Sequence, residues 1–584
     1  MNITRRSSKL LAVTAASALV IAACGSDDGD NADDTTADTA AEETTDTEAP
    51  VDTEAPADTE APADTEAPAD TEAPADTEYD TESALSGLTV VDDTTFTVEL
   101  SEADPEFNLR LAYTGFAPLP DAFYDDPAGF EEAPIGNGPF QMDGSWNHDE
   151  SIQTTPYADY AGPRTPEISS LKFNIYEDVT AGGFLDLQGG AVDVVRSLPL
   201  ENLGTAEAEY GDRYAQTPDT GIYYYGFPSY LEEQYPLALR RALSMAVDRE
   251  LLNDVILEGA NIPATSLIPP NLPGAREDVC ENYTYNPEAA VAAFEEFGGV
   301  EALGGEPLTV WFNTSEAHAQ IAEAITNQWR EVLGIENVVF ENLEFAEYLP
   351  KLDAQEITGV FRLGWGADYL SPLNFLEPLY AVASTPPVGS NTTFTDIPEF
   401  DEQLALGKAA IAESGDLDDA IPFYNAAEDI LCENVPSIPI YFTQNTYVWN
   451  DTVGNVVQNA LSILNYTEMT GGDVVTAIGE PEHLSPINSS ESEGIQVLST
   501  LFDTLVGYNA STSELENIAA ESIVTEDGGL TYTITLKEGM TFHDGTPVTA
   551  ESFVDAWNFA ATGANAQQNN GFFANIAGYG DLNS

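Results

Sequence analysis

The side chains of this 584-residue chain most readily given chemical work are three cysteines, four histidines and a large excess of carboxylates. The histidines, His148, His318, His483 and His543, are scattered with no ligand spacing between them, so a histidine-based metal centre is not expected. No Gly-x-Ser-x-Gly, phosphate-binding loop or His-Glu-x-x-His pattern occurs, which leaves nucleophilic, phosphoryl-transfer and metalloprotease chemistry without a motif. Acidic pairs such as Glu131-Glu132 are too abundant here to nominate a glycosidase dyad. The expectation is a protein with no cofactor, no metal and no enzymatic activity.

Composition narrows the partners. With 101 Asp and Glu against 17 Lys and Arg, a net charge of −84, the chain repels phosphate backbones, and no nucleic-acid partner is expected. A hydrophobic fraction of 43% and an aromatic fraction of 10% are too rich for a chain disordered throughout. Residues 1–24 read as an export signal: Arg5, Arg6 and Lys9 precede an apolar run from Leu10 to Ala23, shorter than the roughly 20 apolar residues of a spanning helix. Ile21-Ala22-Ala23-Cys24 resembles the bacterial lipobox, which implies acylation of Cys24 and a lipid anchor in the cell membrane. The alternative is an ordinary secretory signal with a chance cysteine. Residues 25–84 carry 22 acidic residues and no basic one, with Ala-Pro-Ala-Asp-Thr-Glu recurring through residues 55–78. Such a segment cannot bury a core and is expected to be an extended, self-repelling stalk. With Cys24 acylated, Cys280 and Cys432 remain as an even pair in an exported chain. A disulfide between them is expected, with two free thiols as the alternative.

Beyond the stalk, strand and helix signals alternate. Residues 94–100 and 530–536 alternate apolar and polar side chains, as half-buried strands do. Pro236 opens a segment in which Leu239, Leu243, Ala246, Val247, Leu251 and Val255 recur at helical spacing up to Gly259, which predicts one amphipathic helix. Asn286-Pro287-Glu288 is a capped helix start and Gly298-Gly299 its stop. Residues 308–312, 316–333 and 338–340 form a strand, helix, strand unit, and parallel pairing through such a crossover implies an α/β layer. Pattern alone gives a multi-lobed α/β protein with a cleft between lobes.

Several motifs make the chain recognisable. The run Phe542-His543-Asp544-Gly545-Thr546-Pro547-Val548 is a strand ending in an Asp-Gly turn, followed by a helix capped by Thr549. Gly136-Asn137-Gly138-Pro139-Phe140, Arg240 to Glu250, Gly364-Trp365-Gly366-Ala367-Asp368-Tyr369 with Asn374-Phe375-Leu376, and Glu433 to Tyr441 follow the same pattern of short shared segments. Together they resemble the family 5 extracellular solute-binding proteins, the oligopeptide- and dipeptide-binding components of ABC importers. In that family the Phe-His-Asp-Gly segment precedes the Gly-x-Gly-Pro segment, whereas here it follows by about 400 residues. The resemblance therefore implies a periplasmic-binding-protein-like (type II) multi-lobed α/β fold with a ligand cleft, circularly permuted. An assembly error favoured by the repetitive stalk is the alternative. Carried over, the lobes are 85–133 plus 509–584 (the small lobe II), 134–225 plus 456–508 (lobe I) and 226–455 (lobe III).

The resemblance also implies a site. Asp368 matches the family's aspartate that meets the peptide α-ammonium, a charge-assisted bond indifferent to side-chain identity. Trp365 and Tyr369 flank it as aromatic walls, and Tyr225, in the run Tyr223-Tyr224-Tyr225, is a further pocket candidate. No group is identified for the ligand carboxylate. The expected function is that of an extracytoplasmic, lipid-anchored, monomeric binding protein that captures an oligopeptide or dipeptide and delivers it to a membrane ABC permease. The alternatives are the same fold binding a sugar or metal chelate, a secreted hydrolase, and a passive surface lipoprotein.

Overall fold

The computed structural model describes residues 79–583 apart from Val388. The export signal, Cys24 and the stalk up to residue 78 lie outside the described residues. Alternation decides the smaller of the two main sheets. In Thr95–Glu99, Phe96 and Val98 share one face and are fully buried, and in Thr531–Leu536 the same is true of Tyr532, Ile534 and Leu536. The two strands come from opposite ends of the chain and pair antiparallel with Ile534 opposite Phe96. Leu88–Asp92 and Ala520–Thr525 complete a four-stranded sheet. The helix Ala550–Ala561 covers its buried face, with Trp557 edge-on to Phe96 at 5.6 Å. Thr549 and Ser552 close that helix start reciprocally as a capping box.

The larger sheet has eleven strands. At one edge Val338–Leu343 lies parallel to Leu308–Asn313, joined by the helix Glu316–Leu333 as the spacing predicts, and Val360–Gly366 follows parallel to Leu308–Asn313. Next come two long antiparallel strands, Tyr214–Gly226 and Ser437–Trp449, each of 13 residues. Then follow Val194–Val195, Asp473–Ile478, Ser170–Ile175, Ser151–Pro156 and Phe140–Met142, while Ile262–Pro263 pairs off the path with Ser437–Trp449. Of the hydrophobic cores, the two large ones gather side chains from 222–442 with Ala460, and from 85–175, Val194 and 447–576, and a small third packs Phe184, Leu187 and Val192 against Val448 and Ala477. The two long strands carry the chain from one core to the other and back. Midway, the register of Ser437–Trp449 shifts at Pro439/Tyr441 and again at Phe442/Gln444. There Asp219 accepts bonds from Thr443 Oγ1 at 2.9 Å and Ser462 Oγ at 2.7 Å. Such irregular pairing is where a sheet bends.

One predicted element is corrected. The helix expected from Pro236 through Val255 is two, Leu237–Met245 and Arg249–Ile256. The Asp248 side chain accepts from Leu251 N and caps the second, which restarts the helix in a different phase and leaves Leu251 and Val255 exposed. By contrast, Asn286 caps Pro287–Phe297, and Gly298, at φ +111°, ends that helix where a Cβ would be strained.

Segments far apart in sequence meet. His543 Nδ1 accepts from Gly136 N at 3.0 Å and its Nε2 donates to Gly138 O at 3.1 Å, so the two shared glycine motifs are locked together by one neutral imidazole. Burial pushes its pKa down to about 4. The last described residues return beside the first: Gly87 N donates to Ala577 O at 2.8 Å and Ala577 N to Glu99 O at 2.9 Å. Gly578 lies so close that a Cβ there would stand 2.6 Å from Ser86 N. Cys280 and Cys432 are joined by a disulfide with Cα atoms 5.7 Å apart, tying the turn Glu281–Tyr283 to the helix Ile421–Asn434. Among the described residues no helix is long and apolar enough to cross a membrane.

Candidate functional site

Asp368 follows the strand Val360–Gly366, which is clamped between Leu308–Asn313 and Tyr214–Gly226. A short loop then leads into the helix Leu373–Tyr380, and Asn374 at the start of that helix organises the loop. Asp368 N donates to Asn374 Oδ1 at 2.9 Å, Asn374 Nδ2 donates to Asp368 Oδ2 at 3.3 Å, and Trp365 Nε1 donates to the Asn374 carbonyl at 2.8 Å. One buried asparagine thus fixes the aspartate through its side chain and the tryptophan through its backbone carbonyl.

Asp368 opens onto a cavity of about 320 Å³ built from three stretches of chain, 110–113, 368–369 and 568–575. Arg110 lies with its guanidinium carbon 4.4 Å from the centre of the Tyr369 ring, and its Nε is 3.0 Å from Asp104 Oδ2. Tyr113 stacks on Phe572 at 4.3 Å and donates to Asn569 Oδ1 at 3.2 Å. Although Asp368 is solvent-exposed at the cavity mouth, protein crowds its carboxyl from behind. Desolvation raises its pKa, against the Asn374 hydrogen bond and the Arg110 charge, which lower it. Burial, then the nearby charges of Asp368 and Glu491, push the Tyr113 phenol up as well. An aspartate with spare acceptor capacity beside aromatic walls can hold an ammonium group.

The residues singled out from sequence are not all brought together. Asp368 and Tyr369 line the cavity, the latter almost wholly buried behind Arg110. Trp365 is half-buried and does not line it. Tyr225 is 1% exposed and belongs to the core, where its ring packs at 6.0 Å from Tyr223; strand alternation puts these two on one face and Tyr224 on the other. Sequence reasoning missed Arg110, Tyr113 and Phe572, which carry no local signature.

It also missed Arg362. This side chain sits on the same strand as Trp365, with its guanidinium carbon 4.3 Å from the centre of the Tyr223 ring and Nη1 2.9 Å from Asn313 Oδ1. His318 shares Asn313, its Nδ1 lying 3.1 Å from the carbonyl, and its pKa is lowered by burial and by the Arg362 charge. Tyr223 in turn stacks on Tyr441 at 4.7 Å. Most other arginines that bond side chains pair with a carboxylate, whereas Arg362 has no ion pair among the described residues. Its lack of a carboxylate partner is set by the tertiary structure and left no local trace in the sequence.

Two cores joined by a pair of long strands, with a polar cavity beside them, define a binding protein of the type II periplasmic class. Comparison with known proteins agrees. The description of bacterial extracellular solute-binding proteins, family 5 (Middle), matches residues 48–386 and 514–583, and the chain belongs to that family. It is 28% identical over 385 residues to the oligopeptide-binding protein OppA of Bacillus subtilis (strain 168), covering 63% of this chain and 67% of that one. It is 26% identical over 408 residues to the periplasmic oligopeptide-binding protein OppA of Salmonella typhimurium, covering 65% and 70%. Among solved structures it is similar in fold to HbpA2 from Haemophilus parasuis, with a TM-score of 0.57, 23% identity, and coverage of 66% of this chain and 76% of that one. The protein is a solute-binding protein and not an enzyme.

Proposed function

We propose that this protein is the peptide-capturing component of an ABC importer. The observation that carries the reading is Asp368: a carboxylate fixed by Asn374, open to a cavity with aromatic walls, in a family whose matched relatives are named for oligopeptide binding. The peptide ammonium binds at Asp368. An extended peptide running back along Val360–Gly366 reaches Arg362 within about 20 Å, the span of six residues of strand, and Arg362 receives its carboxylate. Tyr113, Phe572 and the half-buried Trp365 supply rigid aromatic area that is tolerant of side-chain identity, while Tyr369 backs Arg110. Residues 85–133 with 509–584, 134–225 with 456–508, and 226–455 act as lobes II, I and III, and closure bends the two long strands at their register shifts. The segment order is a circular permutation. Cys24 anchors the chain to the membrane through lipid, the acidic stalk gives reach, and the protein works as a monomer that hands peptide to a membrane permease. Native mass spectrometry of protein purified from a peptide-rich medium tests the reading: short peptides should be released on mild denaturation, and a compact protein that neither carries nor rebinds peptides refutes it.

A further inference from the structure

A separate cavity of about 640 Å³ lies between the two cores, with Leu515 on one wall and Leu272 and Leu370 on the other. Its deepest polar group is Glu106, 1% exposed. Glu106 Oε1 accepts from the Tyr424 hydroxyl at 2.7 Å, while Oε2 has no hydrogen-bond partner. Asn271, in the same wall, donates through Nδ2 to Pro218 O at 3.2 Å and leaves its buried Oδ1 unpartnered. The exposed Asp416, Asp418 and Glu514 stand at the rim, and no Lys, Arg or His lines the cavity.

A buried acceptor left unbonded is costly, so two in one cavity call for a donor. The carboxylates attract a cation, and the apolar walls accept a hydrocarbon chain. We propose that this cavity is a second binding site, taking a primary aliphatic ammonium with an apolar chain, whose charged head meets Glu106 Oε2 and for which Asn271 Oδ1 is a further acceptor. The occupant touches both cores and favours their approach. Its source is either a free amine or the lysine side chain of a peptide held at Asp368.

Protonation of Glu106 removes the attraction. Burial raises its pKa to about 7, opposed by the Tyr424 hydrogen bond and the nearby Ser371 hydroxyl; Asp104 pushes it up and Arg110 down, and Tyr369, Tyr508 and Tyr532 are the other titratable groups facing it. An alkylamine stays protonated well above this range. Amine affinity therefore rises with pH through about 7, by about tenfold between about pH 6 and about pH 8 as the ionised fraction grows from about a tenth to about nine tenths.

The test is calorimetric titration of the full chain with n-hexylamine, n-hexanol and hexanoate. Hexylamine should bind about tenfold or more tighter than hexanol, with hexanoate weakest. Glu106→Gln should abolish the pH dependence and most of the preference while leaving trialanine affinity unchanged. Asp416→Asn with Asp418→Asn, exposed and so harmless to folding, should weaken hexylamine by a smaller factor and in a salt-dependent way. Asp368→Ala should lose peptide and keep hexylamine, which separates a failure here from a failure of the peptide reading. Competition of hexylamine with Ala-Lys-Ala but not Ala-Met-Ala assigns the site to a peptide lysine, and indifference to both assigns it to a free amine. Equal binding of hexylamine and hexanol, or unchanged hexylamine affinity in Glu106→Gln, overturns the proposal.

Discussion

Asp368→Asn gives the sharpest test of the capture mechanism, because it keeps shape and removes charge. In the structure the Asp368 carboxylate accepts one side-chain hydrogen bond, the 3.3 Å contact from Asn374, so at least one oxygen is available to an ammonium donor. One to two charged hydrogen bonds at about 1.5–3 kcal/mol each, less than fully additive, give roughly 2–4 kcal/mol. That is about 30- to 700-fold in Kd. Isothermal titration of trialanine and its N-acetylated form against both proteins completes a thermodynamic cycle: the substitution should cost the full factor with the free ammonium and almost nothing with the acetylated peptide. The pH dependence has a definite sign. The Asp368 pKa is raised in the ligand-free fold, so ammonium binding is fully developed above that raised value and fades as pH falls through it, starting higher than an ordinary carboxylate would allow. The same shift means that ionised Asp368 costs the empty protein stability at neutral pH. Ligand-free Asp368→Asn should therefore unfold at a higher temperature than the parent, with the gap closing as pH drops below the raised pKa. Equal loss with free and acetylated peptides would refute the assignment, since the aspartate would then be supporting the loop and not meeting the ammonium.

Arg362→Gln should weaken peptides with a free carboxylate by about tenfold or more and leave C-terminally amidated peptides unaffected, and equal loss in titrations of the two would remove Arg362 from the ligand's path. Replacing Cys280 and Cys432 by Ala opens a loop of 152 residues, worth about 5 kcal/mol in the chain-entropy argument, so the urea midpoint should fall sharply and an unchanged midpoint contradicts it. Joining residue 583 to residue 85 through a short linker, and opening the chain at Gly471-Gly472, should give a protein with the same circular dichroism and peptide affinity, because Gly87 and Ala577 are already hydrogen-bonded. Loss of peptide binding by a folded rearranged chain would rule against the permutation reading.

Two strands of the small sheet, Thr95–Glu99 and Thr531–Leu536, were legible because each buries one face and alternates cleanly, as Phe96, Val98, Ile534 and Leu536 do, whereas Leu88–Asp92 and Ala520–Thr525 show no such alternation. The order of the large sheet was not, since it depends on pairings that leave no local trace. Val194–Val195 is only two residues long, and Asp473–Ile478 enters the middle of the sheet between Val194–Val195 and Ser170–Ile175, far from it in sequence. The split of the helix after Pro236 was readable in principle: Asp248 is a good cap, but an unbroken apolar spacing outweighed it. At the site, Asp368 and Trp365 stood out because a compact motif surrounds them, with Asn374 at its end. Nothing local distinguishes Glu106 from the other acidic residues of so acidic a chain, because burial is a property of the neighbours that tertiary structure brings.

The cavity at Asp368 depends on segments far apart in sequence that meet. Asp368 and Tyr369 come from the loop after Val360–Gly366, but the opposite wall, Tyr113 stacked on Phe572, joins a residue near the start of the fold to one near its end. That wall is held by the pairing of Thr95–Glu99 with Thr531–Leu536 and by the bonds between Gly87, Glu99 and Ala577. Loss of this ladder of hydrogen bonds and of the core it shares would separate the wall from the aspartate. The site thus depends on pairing between residues 87–100 and residues 531–577. Charge substitutions at Ile534 or Phe96, remote from any ligand, should abolish capture as completely as loss of Asp368 itself.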